Sequence, residues 1–156
     1  MMNKVAFLIG SVSDKKIANH SLEYFEYFDI NAEIFVMSAH RNPDKVHKFA
    51  KNAKENGYSI IVCGAGMAAH LAGAVKSNTI LPVIGVPLPG GMMDGLDSLL
   101  STVQMPKGVP VATTSVGKAG AINAAILSAE ILALNNSKIS NKLLKFKSNG
   151  STLSGI

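Results

Sequence analysis

Val5-Ala6-Phe7-Leu8-Ile9 runs straight into Gly10-Ser11-Val12-Ser13-Asp14, and from Asp14 onward Ile17, Leu22, Tyr24, Phe25 and Phe28 recur on or near one helical face. Five apolar residues in a row, without polar alternation, predict a strand covered on both sides. A strand, a tight Gly/Ser turn and a helix in immediate succession form one half of a crossover unit. The next unit follows at once.

Ala32 to Met37 reads as a second strand, and Pro43 sits in the first turn of a helix whose Val46, Phe49, Ala50 and Ala53 form the inward stripe, with Gly57 as its end. Ser59 to Cys63 is a third strand and Ala68 to Lys76 a short helix. Pro82 to Val86 is a fourth strand, Leu96 to Val103 a helix, Val109 to Thr113 a shorter strand, and Lys118 to about Leu134 a long helix. Strands alternating with helices predict an α/β protein, a three-layer α/β/α sandwich around a parallel sheet. In such sheets ligands bind beyond the carboxyl ends of the strands, so chemistry is sought in the loops that follow them.

The composition sets the outer bounds. The chain has 156 residues, of which 47% are hydrophobic and 16% charged, which excludes disorder as the main state and predicts one domain over residues 1–156. A lone cysteine, Cys63, excludes an internal disulfide and, with four histidines, argues against a thiolate zinc site. No metal is expected. The charge-free stretches Asn56 to Val75 and Ser77 to Met93 are broken by glycines and prolines, so neither reads as a membrane span. Lys4 is followed by an apolar run too short for a secretory signal, and the expected compartment is the cytoplasm. The formal charge of +5 is the sole hint of nucleic acid, and no aromatic platform is interleaved with the lysines.

Two segments near the end point to assembly. The helix from Gly120 to Leu134 is apolar on nearly every side, which predicts burial all round and, in a chain this small, a subunit interface. After Asn135, Lys138, Lys142, Lys145 and Lys147 alternate with Ile139, Leu143, Leu144 and Phe146, predicting a basic amphipathic helix in a tail over 136–156. The tail is expected to lie on a neighbouring subunit or to fray.

The loops carry the functional signals. Gly10 to Asp14 places a glycine, two serine hydroxyls and a carboxylate suited to helix capping at a strand end, where free N–H groups and the helix dipole favour an anion. It is neither a dinucleotide nor a nucleoside triphosphate motif, and Ser13 and Asp14 also read simply as a helix start. Ser38-Ala39-His40-Arg41-Asn42-Pro43 contains the one arginine among fifteen basic residues, beside a histidine. A guanidinium binds phosphate in a planar, two-pronged way that lysine does not reproduce, and an imidazole moves protons near neutral pH. Gly64-Ala-Gly66-Met67-Ala68-Ala69-His70-Leu71-Ala72-Gly73 lets the backbone approach a ligand, with His70 either lining the pocket or bonded to a backbone carbonyl. The indirect role is favoured for His70. Gly85 to Met93 is a charge-free loop able to cover a small substrate, with Met92 and Met93 as packing or lid. His20 and His47 read as surface residues and Cys63 as a core thiol.

GSVSD at 10–14, SAHRNP at 38–43, GAGMAAHLAG at 64–73, PVIGVP at 82–87, DSLLSTVQMPKGVPV at 97–111 and GKAGAINAA at 117–125 together resemble the N5-carboxyaminoimidazole ribonucleotide mutases of bacterial purine synthesis. That resemblance implies a flavodoxin-like fold with a C-terminal helix, a ribonucleotide monophosphate substrate, no ATP, metal or organic cofactor, and a homo-oligomer, an octamer. It implies His40 as the acid-base group, Ser11, Ser13 and Arg41 on the phosphate, and Asp14 on ribose hydroxyls. Ser38, Gly66, His70 and Leu71 complete the implied substrate-binding set. Met67, Ala72 and the form of Pro89 to Met93 depart from the family pattern. The rival readings are a carboxylase that adds carbon dioxide directly to aminoimidazole ribonucleotide, and a non-enzymatic phospho-ligand binder or flavodoxin-like electron carrier.

Overall fold

In a computed structural model describing residues 3–155, the apolar runs form five parallel strands: β1 (Lys4–Ile9), β2 (Asn31–Val36), β3 (Ile60–Ala65), β4 (Val83–Pro87) and β5 (Ala112–Thr113). Met1, Met2 and Ile156, the ends of the expected unit and tail, lie outside the described residues. The helices are α1 (Lys15–Ala18), α2 (Leu22–Tyr27), α3 (Pro43–Asn52), α4 (Leu71–Lys76), α5 (Leu96–Val103), α6 (Lys118–Ala133) and α7 (Ser137–Ser148).

The strand order is β2-β1-β3-β4-β5. The chain leaves β1 toward one edge of the sheet to make β2, then returns across β1 to make β3, so the order reverses beside β1. This is the flavodoxin-like doubly wound arrangement, and its crevice opens where the loops after β1 and β3 part. Val5 to Ile9 are all buried because β1 is sandwiched on both faces. Val5, Phe7 and Ile9 point into a cluster with Phe25, Phe28, Ala121, Ala125 and Phe146, whereas Ala6 and Leu8 point into a second with Val46, Ala50, Leu71 and Val75. Two faces of one strand thereby build the two halves of the core.

Several boundaries differ from the sequence expectation, each for a local reason. The helix expected from Asp14 is interrupted, with tight turns at Val12–Asp14 and Asn19–Ser21 flanking α1, and α2 follows. The helix behind Gly64 starts at Leu71 rather than Ala68, which leaves residues 66–70 as an open loop. Gly64 itself is within β3, where a Cβ would press on Phe7 and Ile9 at 3.3 and 3.4 Å, so its glycine serves packing and not a ligand. Gly120 answers a similar constraint, since a Cβ there would overlap the Ser115 carbonyl.

The C-terminal tail is not frayed as far as Ser148. Helix α7 packs on its own chain: Ile139, Leu143 and Phe146 are buried in the core shared with α6. Phe146 meets Phe28 at 5.6 Å and Tyr24 at 6.2 Å between ring centroids, both edge to face. The Asn136 side chain accepts from the Lys138 and Ile139 N–H groups and caps the helix start. Lys142 donates to the Tyr27 carbonyl at 2.6 Å and pairs with Asp29 at 2.7 Å. The tail is helical only to Ser148; beyond it Asn149 Nδ2 ties back to the Thr152 and Ser154 carbonyls. The apolar character of α6 is met largely within the chain, by the sheet on one side and α2 and α7 on others, and it is therefore not by itself evidence of a subunit interface.

Candidate active site

Loops from the ends of β1, β2, β3 and β4 line one cavity of about 580 Å³ at the carboxyl edge of the sheet. Its walls contain every residue singled out in the sequence as catalytic or substrate-binding: Ser11, Ser13, Asp14, Ser38, His40, Arg41, Gly66, His70 and Leu71. A neighbouring depression of about 660 Å³ shares Ala39, Ala69 and His70 with it but reaches neither the serine turn nor Arg41.

At the end of β1, Ser11 and Asp14 hold each other. The Ser11 side chain accepts from the Ser13 N–H at 3.4 Å, and the Asp14 Oδ2 accepts from the Ser11 N–H at 3.0 Å, a reciprocal box that closes the turn. The expected helix cap is thus Ser11, with Asp14 as its return partner. The Ser13 hydroxyl lies 3.0 Å from the Ser11 hydroxyl and 3.4 Å from the Asp14 Oδ1, so three polar side chains face the cavity as a group.

Strand β2 ends level with β1, because the Met37 N–H donates to the Ile9 carbonyl at 2.9 Å. The loop that follows is closed by one side-chain and one main-chain bond: the Arg41 N–H donates to the Ser38 hydroxyl at 3.3 Å and the Asn42 N–H to the Ser38 carbonyl at 2.8 Å. With the backbone held, the Arg41 side chain reaches across to β1 and donates from Nη2 to the Gly10 carbonyl at 3.2 Å. No carboxylate lies within ion-pair distance of Arg41 among the described residues. Arg41 and the serine turn line the same cavity, an arrangement suited to an anion shared by the two loops.

The third loop brings His70 over His40, with ring centroids 5.2 Å apart and planes inclined by 11°. Neither ring forms a hydrogen bond to a protein group among the described residues, so the carbonyl-bonded alternative for His70 is not what the structure contains. Leu71 and Leu88 are buried and form fixed apolar wall, and the Leu88 N–H donates to the Ala65 carbonyl at 2.9 Å, docking the fourth loop on the third. Met67 stands on the rim with φ +55°, a left-handed backbone that costs a non-glycine residue roughly 1–2 kcal/mol.

Other sequence expectations also meet the structure here. Met92 and Met93 are exposed and outside the cavity lining; Pro89 and Gly90 are the loop residues that reach it. Ala39, Leu88 and the Gly10 carbonyl were missed by motif reading, since an alanine, a leucine and a main-chain oxygen carry no chemical signature. Position after a strand end was the available signal. Cys63 is buried and its thiol is pushed well up by desolvation, which removes it from the chemistry. No cluster of metal-ligating side chains occurs among the described residues, and no described helix is long and apolar enough to cross a membrane.

A family profile described as AIR carboxylase matches residues 4–152, which include every strand and every loop of the cavity. The chain belongs to the AIR carboxylase family. Among relatives in the AIR carboxylase family, the N5-carboxyaminoimidazole ribonucleotide mutase of Escherichia coli K12 is 47% identical over 140 residues, covering 90% of this chain and 83% of that protein. The protein of the same name from Bacillus subtilis is 47% identical over 143 residues, 92% and 88% of the two chains. That from Saccharolobus solfataricus is 48% identical over 145 residues, 93% and 90%. The crystal structure of Treponema denticola PurE superposes with a TM-score of 0.86 at 26% identity, over 95% of this chain and 91% of that one.

Proposed function

We propose that this protein is an N5-carboxyaminoimidazole ribonucleotide mutase, moving the carboxyl group of its substrate from N5 to C4 of the aminoimidazole ring in purine biosynthesis. The observation that carries the reading is the reach of Arg41 from β2 to the Gly10 carbonyl, which joins the serine turn and the His40–His70 pair around one cavity. A phosphate held by Arg41, Ser11 and Ser13, with Asp14 on the ribose, directs the base toward His40. Ser38 supports Arg41 through its backbone, and Gly66, Leu71 and His70 bound the space for the base.

The reaction balances with one histidine. Protonated His40 gives its proton to N5 of the carbamate, the N5–carboxyl bond breaks, and aminoimidazole ribonucleotide and carbon dioxide result. The electron-rich C4 then forms a bond to the same carbon dioxide. Neutral His40 takes the C4 proton as aromaticity returns, and the imidazole ends as it began. Holding carbon dioxide beside C4 replaces a bimolecular encounter by an intramolecular one. The residues supply the proton and the positions, with no cofactor required.

The same reading carries a cytoplasmic enzyme in which residues 1–156 form one catalytic domain, with α7 as an integral tail, and it carries an octameric homo-oligomer. Helix α5 supports assembly, since Leu96, Leu100 and Val103 are exposed apolar residues at one helical spacing. The test is an ATP-free, metal-free assay offered two substrates separately. Conversion of N5-carboxyaminoimidazole ribonucleotide supports the mutase; carboxylation of aminoimidazole ribonucleotide by carbon dioxide, with the first substrate inert, overturns it in favour of the direct carboxylase. Binding of either without turnover leaves a non-enzymatic binder.

A further inference from the structure

The long apolar side chains of the cavity wall differ in how firmly they are packed. Of its apolar lining residues with long side chains, Leu71 and Leu88 are 2% and 3% exposed and locked in the core, whereas Met67 is 66% exposed. Met67 is flanked by Gly66 and Ala68, neither of which reaches far into the cavity, and it holds φ +55° on a loop with no helical bonds until Leu71. An unbranched thioether with three rotatable bonds suits a surface that must adapt to a ligand, and an exposed apolar side chain beside a polar cavity gains by covering an apolar ring face. Strain retained at a binding loop points from the conformation to a role.

We propose that Met67 is a positioning residue for the carboxyl transfer, folding over the bound aminoimidazole and shutting the chamber in which carbon dioxide waits between N5 and C4. This rests on the mutase reading above and adds the residue that keeps its two half-reactions coupled. Water exclusion and retention of a neutral, uncharged intermediate are what a thioether cover contributes; it moves no proton. When the cover is lost, the carbamate still takes a proton and still releases carbon dioxide, but the gas escapes to solvent and aminoimidazole ribonucleotide is left behind.

Two measurements test this. In the first, purified protein is treated with dilute hydrogen peroxide with and without saturating aminoimidazole ribonucleotide, and sulfoxide formation at each methionine is followed by peptide mass. Bound ribonucleotide is expected to slow oxidation of Met67 about fivefold or more while Met92 and Met93, outside the cavity lining, are unchanged. Calorimetry on the same sample reports binding. A ribonucleotide that binds and leaves Met67 oxidation unchanged overturns the proposal alone, whereas absence of binding overturns the substrate reading and the proposal with it.

In the second, N5-carboxyaminoimidazole ribonucleotide is converted in buffer charged with ¹³C-labelled carbon dioxide. Met67→Ala is expected to raise both label in the product carboxyl and the share of substrate lost as aminoimidazole ribonucleotide several-fold, with Met67→Leu restoring the wild-type ratio. Equal coupling in wild type and Met67→Ala overturns the assignment, and failure of the wild type to make any C4 carboxyl product overturns the mutase reading instead.

Discussion

The imidazole rings of His40 and His70 stack 5.2 Å apart, 11° from parallel, although the residues come from different strand ends and neither is buried. Stacking fixes the plane of His40 from one side, while the closed Ser38–Asn42 loop fixes its backbone from below. The proton shuttle proposed for His40 needs both, because proton transfer to N5 and from C4 would depend on the direction of a ring nitrogen. Replacing His40 by Asn should lower kcat by about 10²–10⁴ while ribonucleotide affinity by calorimetry stays near wild type. Near-native turnover would remove His40 from the mechanism.

If His70 serves by stacking, a flat ring without nitrogen suffices. His70→Phe should keep most of the turnover, and His70→Leu should lose about tenfold in kcat with little change in KM. Equal damage in the two variants would mean that the His70 nitrogens are used directly.

Arg41 tests the proposed anion site. Lysine keeps the charge but loses the planar fork and the simultaneous reach to the Gly10 carbonyl. Arg41→Lys is expected to raise KM for the ribonucleotide about 10–100-fold with kcat nearly retained, the signature of lost uniform binding. Steady-state kinetics with and without competing inorganic phosphate would check it.

The docking of α7 on its own chain predicts a large stability cost at a residue remote from the cavity. Phe146 is 0% exposed and packed among Tyr24, Tyr27 and Phe28. Phe146→Ala should cost about 3–5 kcal/mol in urea unfolding. A change below about 1 kcal/mol would show the helix to be loosely held in solution.

At the opposite end of the sheet, Lys4 pairs with Glu33 at 3.0 Å, the Tyr58 hydroxyl donates to the same carboxylate, and the Lys4 ammonium stands over the Tyr58 ring. The hydrogen bonds from Tyr58 and then Lys4 hold Glu33 below its ordinary value of 4.5. A depressed carboxylate contributes stability above its unfolded value and loses it as pH falls through the folded one. Lys4 is raised from 10.5, chiefly by Glu33, and Tyr58 from 10.0, chiefly by burial, so their contributions hold below those values and fade as the pH rises through the folded ones. Thermal midpoints should therefore be level across neutral pH. The small deficit of Glu33→Gln should close as the pH drops through 4.5 and below, and a deficit that persists in acid would place its cause in packing.

Much of the molecule is legible before folding. Unbroken apolar runs such as Val5–Ile9 mark buried parallel strands, and the single arginine beside a histidine marks the second loop, because apolar periodicity and residue chemistry act over a few positions. What the sequence did not reveal are partners far apart along the chain. That the Arg41 guanidinium lies at the Gly10 carbonyl, that His70 covers His40, and that α7 folds back on Phe28 all follow from the strand order and from how each face of β1 is buried. Those are long-range packing outcomes. Local pattern placed the chemistry at strand ends, and the reversal of order beside β1 brought those ends to one cavity.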